Sequence, residues 1–486
     1  MITRRTLIGA AAPAILRAQT GTKELGIGII GLGAISRGHV RELMSMPGKA
    51  RIVAVCDIYK PRLDWGMTVT RAKGYHDYQD LIADPNVDVV LVLTPDHWHA
   101  KMAIDAMKAG KDVDVEKPMA LTIEEAREMV RVAQETRRVL AVDSEHTAHG
   151  IWNVARQAVR GGVLGQLLWS QTSRSRNDRV PAWQCAIDKD ISPRNLDWER
   201  FQGPAGKRPF DAERFFRWRR YWEYSGGLIT DLFVHHITPL MKVMGPEFPM
   251  KAVTAGGAWQ FPLNERLETP DTMVSVWDFP GKYTLLCGGS LANSVELPIV
   301  IRGHEANIFF QGGSHLRPGS IVIEAESSYA QELPDKVKRA GLEGVWLSEN
   351  VTAPRWTQMP PEQKETWIAG ALGETATRGE YEAELKKTPA LAGDTRLRDS
   401  FFGPRYEARI GGAPKLPRLR IDTPPVPTFM EIFLEAVRTR GKPALDAQLG
   451  YVAQVAVVMA VQSWRENRAV FFDPKTEKIV PGPARA

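Results

Sequence analysis

The chain has 486 residues, enough for two domains and a large core. Its formal charge is +6, and three of those charges are Arg4, Arg5 and Arg17 in an acid-free leader, so the remainder is near balance. No later segment concentrates lysine or arginine as a nucleic-acid tract would. The three cysteines, Cys56, Cys185 and Cys287, match no zinc or redox spacing, and an odd number cannot pair completely within one chain.

In chain order, Thr3-Arg4-Arg5-Thr6-Leu7 places twin arginines before a short apolar run, Leu7 to Leu16. That run is too short to span a bilayer, and it reads as a Tat-type export leader over 1–22. The expected location is periplasmic or extracytoplasmic, with no membrane span in the mature chain.

Residues 25–31 (LGIGIIG) form an apolar run ending in glycine and predict a buried parallel strand. A helix follows over about 34–46, then strands at 51–57 and 87–93. A helix is predicted at 99–109, a short strand at 113–115, and a helix at 122–136 with Thr122 as N-cap and Glu125 three residues on. A strand at 139–142 closes the series. Strands alternating with helices predict a doubly wound parallel sheet over about 23–148.

The second half, about 149–473, reads differently. After a helix at 151–160, strand-like runs fall at 167–172, 273–279, 283–288, 306–311 and 321–324, separated by turn signals such as Pro280-Gly281. They predict a mainly antiparallel sheet. Residues 325–425 are polar and proline-rich and read as an insertion of helices and loops, for instance at 361–371 and 381–387. Two terminal helices follow, at 428–439 and 446–464. The fold class is α/β, an N-terminal Rossmann sheet joined to an α+β domain.

Gly31-Leu32-Gly33-Ala34-Ile35-Ser36 is G-x-G-x-x-S between a strand and a helix. The first glycine permits a tight turn, and the second lets a pyrophosphate approach the backbone at a helix N-terminus. Asp57 ends the next strand, where a carboxylate accepts ribose hydroxyls and repels a 2′-phosphate. This favours NAD, while Tyr59, Lys60 and Arg62 nearby leave NADP open. Lys117 stands at the C-terminal end of a strand, the edge where open α/β sheets bind ligands, and an ammonium there can stabilise a developing alkoxide. Asp231 and His235 stand at i, i+4 in a predicted helix. The imidazole can take a hydroxyl proton, and Asp231 can orient it or hold a substrate hydroxyl. No clear third ligand accompanies His97 and His99, or His235 and His236, so no metal is expected.

These residues resemble the glucose–fructose oxidoreductase and inositol dehydrogenase (Gfo/Idh/MocA) family. The likeness rests on Thr94-Pro95-Asp96, His99, Gly110-Lys111 and Glu116-Lys117-Pro118, then Trp218-Arg219, Gly226-Gly227 and Asp231-x-x-x-His235. It covers about 25–320 and 426–473. It implies a Rossmann domain on an open-faced sheet, with Lys117, Asp231 and His235 carrying the chemistry. It further implies that Pro95, Asp96, His99 and Glu116 line the nicotinamide end, beside Gly31, Gly33, Ala34, Ile35, Asp57 and Thr94. Asp96 departs from the asparagine usual in the family, and the segment Asp143-Ser144-Glu145-His146-Thr147 lacks the arginine often found there.

Arginines and aromatics around the second motif suit a sugar, whose C–H faces stack and whose hydroxyls hydrogen-bond. Arg176, Trp218, Arg219 and His236 are the substrate candidates, although His236 also reads as structural. The expected activity is hydride transfer at a hydroxyl carbon of a sugar, cyclitol or related polyol, with a tightly held, recycled NAD and a homo-oligomeric assembly. The rivals are a redox-neutral glycoside hydrolase or lyase working through transient oxidation, and a non-catalytic dinucleotide-binding protein.

Overall fold

The computed structural model describes residues 24–177, 179–311, 319–347, 416–423 and 426–482. The leader over 1–22 and the helices expected at 361–371 and 381–387 lie outside them.

Six strands form a parallel sheet: β1 (Leu25–Ile30), β2 (Ala50–Cys56), β3 (Lys73–Tyr75), β4 (Val89–Val92), β5 (Asp112–Glu116) and β6 (Leu140–Asp143). Their order is β3-β2-β1-β4-β5-β6, with the first crossover reversing between β1 and β4. β4 is fully buried, which is why it reads as an unbroken valine–leucine run. Between the strands run α1 (Ser36–Met44), α2 (Lys60–Thr70), α3 (Tyr78–Ala83), α4 (Asp96–Lys108) and α5 (Ile123–Thr136). α5 starts as its sequence predicts: Thr122 Oγ1 accepts from Glu125 N at 3.1 Å, and Glu125 Oε2 accepts from Thr122 N at 3.0 Å. Two differences have local causes. α2 buries only Gly66, so no apolar stripe announces it. α4 begins at Asp96 rather than His99, with Pro95 at the cap and an acid in the first turn, where it faces the positive end of the helix dipole.

After α6 (Gly150–Arg160), an eleven-stranded sheet forms among the described residues. Its only parallel pairing joins Leu167–Ser173 to Tyr283–Ser290, and the rest is antiparallel. Strands at Lys251–Gly257, Val300–Gly303, Val345–Trp346, Arg418–Asp422, Val470–Asp473 and Lys478–Val480 join those expected. Arg418–Asp422 pairs along Ser320–Ala325, with Ile421 opposite Ile321. The segment 325–425, read as helices and loops, therefore returns to the sheet at its end. Alternation of buried Leu419 and Ile421 with exposed neighbours over only five residues is a weak signal inside a polar stretch.

The Ala447–Glu466 helix, capped by Asp446, ties the two sheets together. The Trp277 indole donates to Ala456 O at 2.8 Å from the second sheet. Gln454 Nε2 donates to Ala120 O at 2.6 Å, in the segment that follows the carboxyl end of β5. This shared core holds the carboxyl edge of the parallel sheet against the second domain. No helix among the described residues is long and apolar enough to cross a membrane.

Candidate active site

The glycine turn is built as its motif requires. Gly31 has φ +93°, and a Cβ there would come within 2.6 Å of Leu93 O. Around Gly33 a Cβ would meet nothing nearer than Arg62 Nη1 at 3.8 Å, so this backbone borders open space. Ser36 Oγ donates to Gly33 O at 2.7 Å, giving the third motif position a hydrogen bond as well as small size. Asp57 is buried, and its two oxygens accept Leu32 N–H and Tyr59 N–H, each at 2.7 Å. Burial pushes its carboxyl up, opposed by Arg62 and those two amides. Asp57 thus braces the turn in addition to facing the site, a role its spacing did not reveal.

A cavity of about 380 Å³ runs along this edge. Gly31, Gly33, Ala34, Ile35, Asp57, Thr94, Pro95, Asp96, Glu116 and Lys117 all line it, as do Trp218 and Arg219. His99 does not. Its ring is buried between Pro118 O and Thr94 O, at 2.7 and 2.8 Å, so it positions the two loops instead of meeting a cofactor. His97 is likewise structural: Nε2 contacts Phe201 O at 2.8 Å, and burial drives its pKa down to about 4. Arg62, read in the sequence as near Asp57, also lines the cavity, whereas Trp98, Lys101 and Arg200 were missed, because no motif marks them. The cavity suits a dinucleotide on its own chemistry. Open backbone at Gly33 admits a pyrophosphate, and Thr94 Oγ1 and Asp96 Oδ2 are buried polar atoms without a partner.

A second cavity, of about 630 Å³, shares Ile35, Glu116 and Lys117 with the first and adds His39, Asp143, Glu145, His149 and His235. Lys117 stands at the junction. Its Nζ donates to Asp231 Oδ1 at 3.0 Å and to Asp231 O at 2.9 Å. Arg219 Nε donates to the same Oδ1 at 2.8 Å, and Trp183 Nε1 to Oδ2 at 3.2 Å. Burial alone would raise the Asp231 carboxyl, but Lys117 and Arg219 hold it well below the usual carboxylate range. Asp96, on the same wall, is pushed up to about 7 by burial, against the pull of Arg219.

His235 Nδ1 lies 3.4 Å from Ser144 Oγ and 3.7 Å from Glu145 Oε2. Burial, with Lys117 next, lowers its pKa well below the ordinary value, so the ring is neutral near pH 7. The expected pairing of Asp231 with His235 does not form. Ile229–Phe233 is a π turn that leads into the Val234–Met244 helix, and Pro239 within that helix has no N–H for the His235 carbonyl. The π turn changes the i, i+4 relation, so Asp231 reaches Lys117 while His235 faces Ser144 and Glu145. Arg176 lines neither cavity but lies 5.5 Å over the Trp183 ring, and His236 packs its ring 5.6 Å from that of His146. His236, like Arg176, is absent from the lining of both cavities. His39 was missed, because it lies within α1 outside any signature.

Two family models match the chain: the oxidoreductase family, NAD-binding Rossmann fold, over residues 25–144, and the oxidoreductase family, C-terminal alpha/beta domain, over 156–375. Among curated relatives, a glycosyl hydrolase family 109 protein of Shewanella pealeana is 30% identical over 190 residues, covering 36% of this chain and 39% of the relative. An inositol 2-dehydrogenase of Salmonella typhimurium is 29% identical over 160 residues, covering 32% of this chain and 48% of the relative. The chain thus spans less than half the length of these relatives. The WlbA dehydrogenase of Bordetella pertussis, solved with NADH and UDP-GlcNAcA, has a TM-score of 0.59 at 17% identity, covering 93% of this chain and 99% of its own. Levoglucosan dehydrogenase, solved with NADH and levoglucosan, has a TM-score of 0.57 at 17% identity, covering 92% and 99%. These structures share the fold. With both of its domains matched, and Gly31, Gly33, Pro95, Asp96, Lys117 and Arg219 of the motifs lining one cavity, the chain belongs to the Gfo/Idh/MocA oxidoreductase family, and its first domain is an NAD-binding Rossmann domain.

Proposed function

We propose that the protein is an NAD-dependent oxidoreductase that moves a hydride to or from a hydroxyl carbon of a sugar, cyclitol or related polyol. One observation carries this reading: Lys117 from the first domain and His235 from the second line a single cavity that continues into the dinucleotide cavity. Gly31–Ile35, Thr94 and Asp96 would hold the dinucleotide, and bound NAD supplies the hydride acceptor. The Lys117 ammonium lowers the energy of alkoxide character on the reacting oxygen. His235, with Nδ1 turned toward Ser144 and Glu145, presents Nε2 as the base that removes the hydroxyl proton. Asp231 holds Lys117 in place.

The inositol and levoglucosan dehydrogenases among its relatives and structural neighbours support a polyol or sugar substrate. Exposed Leu168, Trp169, Val253 and Val274 on the second sheet support a homo-oligomer. The twin-arginine leader supports export, and export favours a retained, internally recycled NAD. NADP stays open through Arg62, which lines the dinucleotide cavity near Asp57. A second reading, redox-neutral glycoside cleavage, is favoured by the glycosyl hydrolase relatives.

The test is to purify the chain, identify bound nucleotide by mass spectrometry, and add sugars singly while following reduced-nicotinamide absorbance. Absorbance that rises with one sugar and falls with another supports the recycling oxidoreductase. Release of free sugar from a glycoside with no net reduction replaces it with the second reading.

A further inference from the structure

α1 carries His39 over the carboxyl ends of β5 and β6, where Glu116 and Asp143 are register partners. His39 Nε2 lies 3.3 Å from Glu116 Oε1 and 3.6 Å from Asp143 Oδ2. All three side chains are buried, and their facing atoms lie within 4.8 Å of one another. These separations exceed the roughly 2.7–2.9 Å of a charge-assisted N–H···O bond. They fit the edge of a tetrahedron, roughly 3.3 Å when ligands stand about 2.0–2.1 Å from a central ion. Glu116 Oε2 accepts Lys117 N–H at 3.1 Å, which leaves Oε1 for the cluster.

A separate observation lies behind this triad. Asp114 is two residues before Glu116 on the same face of β5 and is fully buried, yet neither carboxylate oxygen has a hydrogen-bond partner. His39 Nδ1 is also without one. The field of Asp114 reaches His39, and that of Asp143 reaches Asp114. Three carboxyl groups thus cluster about one imidazole in a mostly buried place, with His39, Glu116 and Asp143 at the wall of the second cavity. One imidazolium balances only one carboxylate, so the remaining buried carboxyl groups either keep a proton or meet a cation.

We propose that His39, Glu116 and Asp143 form a divalent-cation site of the zinc class, with its open coordination position facing the cavity lined by Lys117 and His235. An imidazole with two carboxylates suits zinc, whereas magnesium prefers oxygen alone and retains its water. Asp114 supplies further negative charge from behind. A water or a substrate oxygen completes the coordination. The inference rests on side-chain geometry and holds whichever reaction the enzyme runs.

The test uses the untagged full chain, stripped with chelator, exposed to zinc sulfate and desalted, with metal measured by mass spectrometry. Wild type should retain one zinc per chain. Asp143→Asn and His39→Gln should bind zinc at least about tenfold more weakly. Cobalt in place of zinc should give the visible bands of a four-coordinate ion in wild type and lose them in both variants. Should His39→Gln fail to fold, as judged by circular dichroism, Glu116→Gln carries the comparison with Asp143→Asn. Wild-type protein that retains no zinc, or variants that retain as much as wild type, overturns the proposal.

Discussion

Lys117 Nζ and Asp231 Oδ1 meet at 3.0 Å, with both side chains at most 10% exposed. The two residues come from different domains and lie 114 positions apart. The ion pair closes the interface beside the place where both cavities touch and fixes the ammonium at their shared wall. Removing one partner of a buried pair costs about 3–5 kcal/mol. Arg219 and Trp183 remain on Asp231 and soften that cost here.

Lys117→Ala should lower kcat by about a hundredfold or more, the usual loss when a donor to a developing oxyanion is removed. Dinucleotide affinity, measured by calorimetry, should change far less, because the glycine turn is untouched. Near-normal turnover in steady-state assays would remove Lys117 from the chemistry.

His235 acts as a base only when neutral. Its pKa is depressed, so kcat/KM should be flat through neutral pH and fall only below pH ~6.5, the ordinary histidine value, as the ring gains its proton. His235→Asn should abolish this acid limb and lower turnover. A limb that persists unchanged in the variant would assign it to another group.

Asp96 makes an opposite-signed prediction for stability. Its folded pKa, about 7, is above the unfolded value, so folding favours the protonated form. The resulting penalty is absent below about pH 4 and grows until about pH 7. Asp96→Asn should therefore stabilise the apo protein by up to about 4 kcal/mol at pH 8 and by little at pH 4. Denaturant melts at the two pH values check this, and equal effects at both would refute it.

The two motif glycines should separate stability from binding. Gly31→Ala combines φ +93° with a 2.6 Å approach to Leu93 O, and should cost about 1–3 kcal/mol in denaturant unfolding. Gly33→Ala sets its Cβ 3.8 Å from Arg62 Nη1 at its nearest, so stability should stay within about 0.5 kcal/mol while NAD affinity drops at least tenfold. Calorimetric titration with NAD reads the second effect, and unchanged affinity would place the pyrophosphate elsewhere.

The sequence by itself determined the parallel sheet, the glycine turn and the Thr122 cap. Each of these depends on local chemistry: strand periodicity, a left-handed backbone position, or a side chain that bonds three residues away; the residues lining the nicotinamide end came from the family resemblance instead. Only the tertiary structure decided the rest. His99 turned inward because Pro118 O and Thr94 O each hold one of its ring nitrogens, and Asp231 parted from His235 because a π turn breaks helical spacing. His39 met Glu116 and Asp143 because a crossover helix passes over two neighbouring strand ends, and no pattern within α1 encodes which carboxylates lie beneath it.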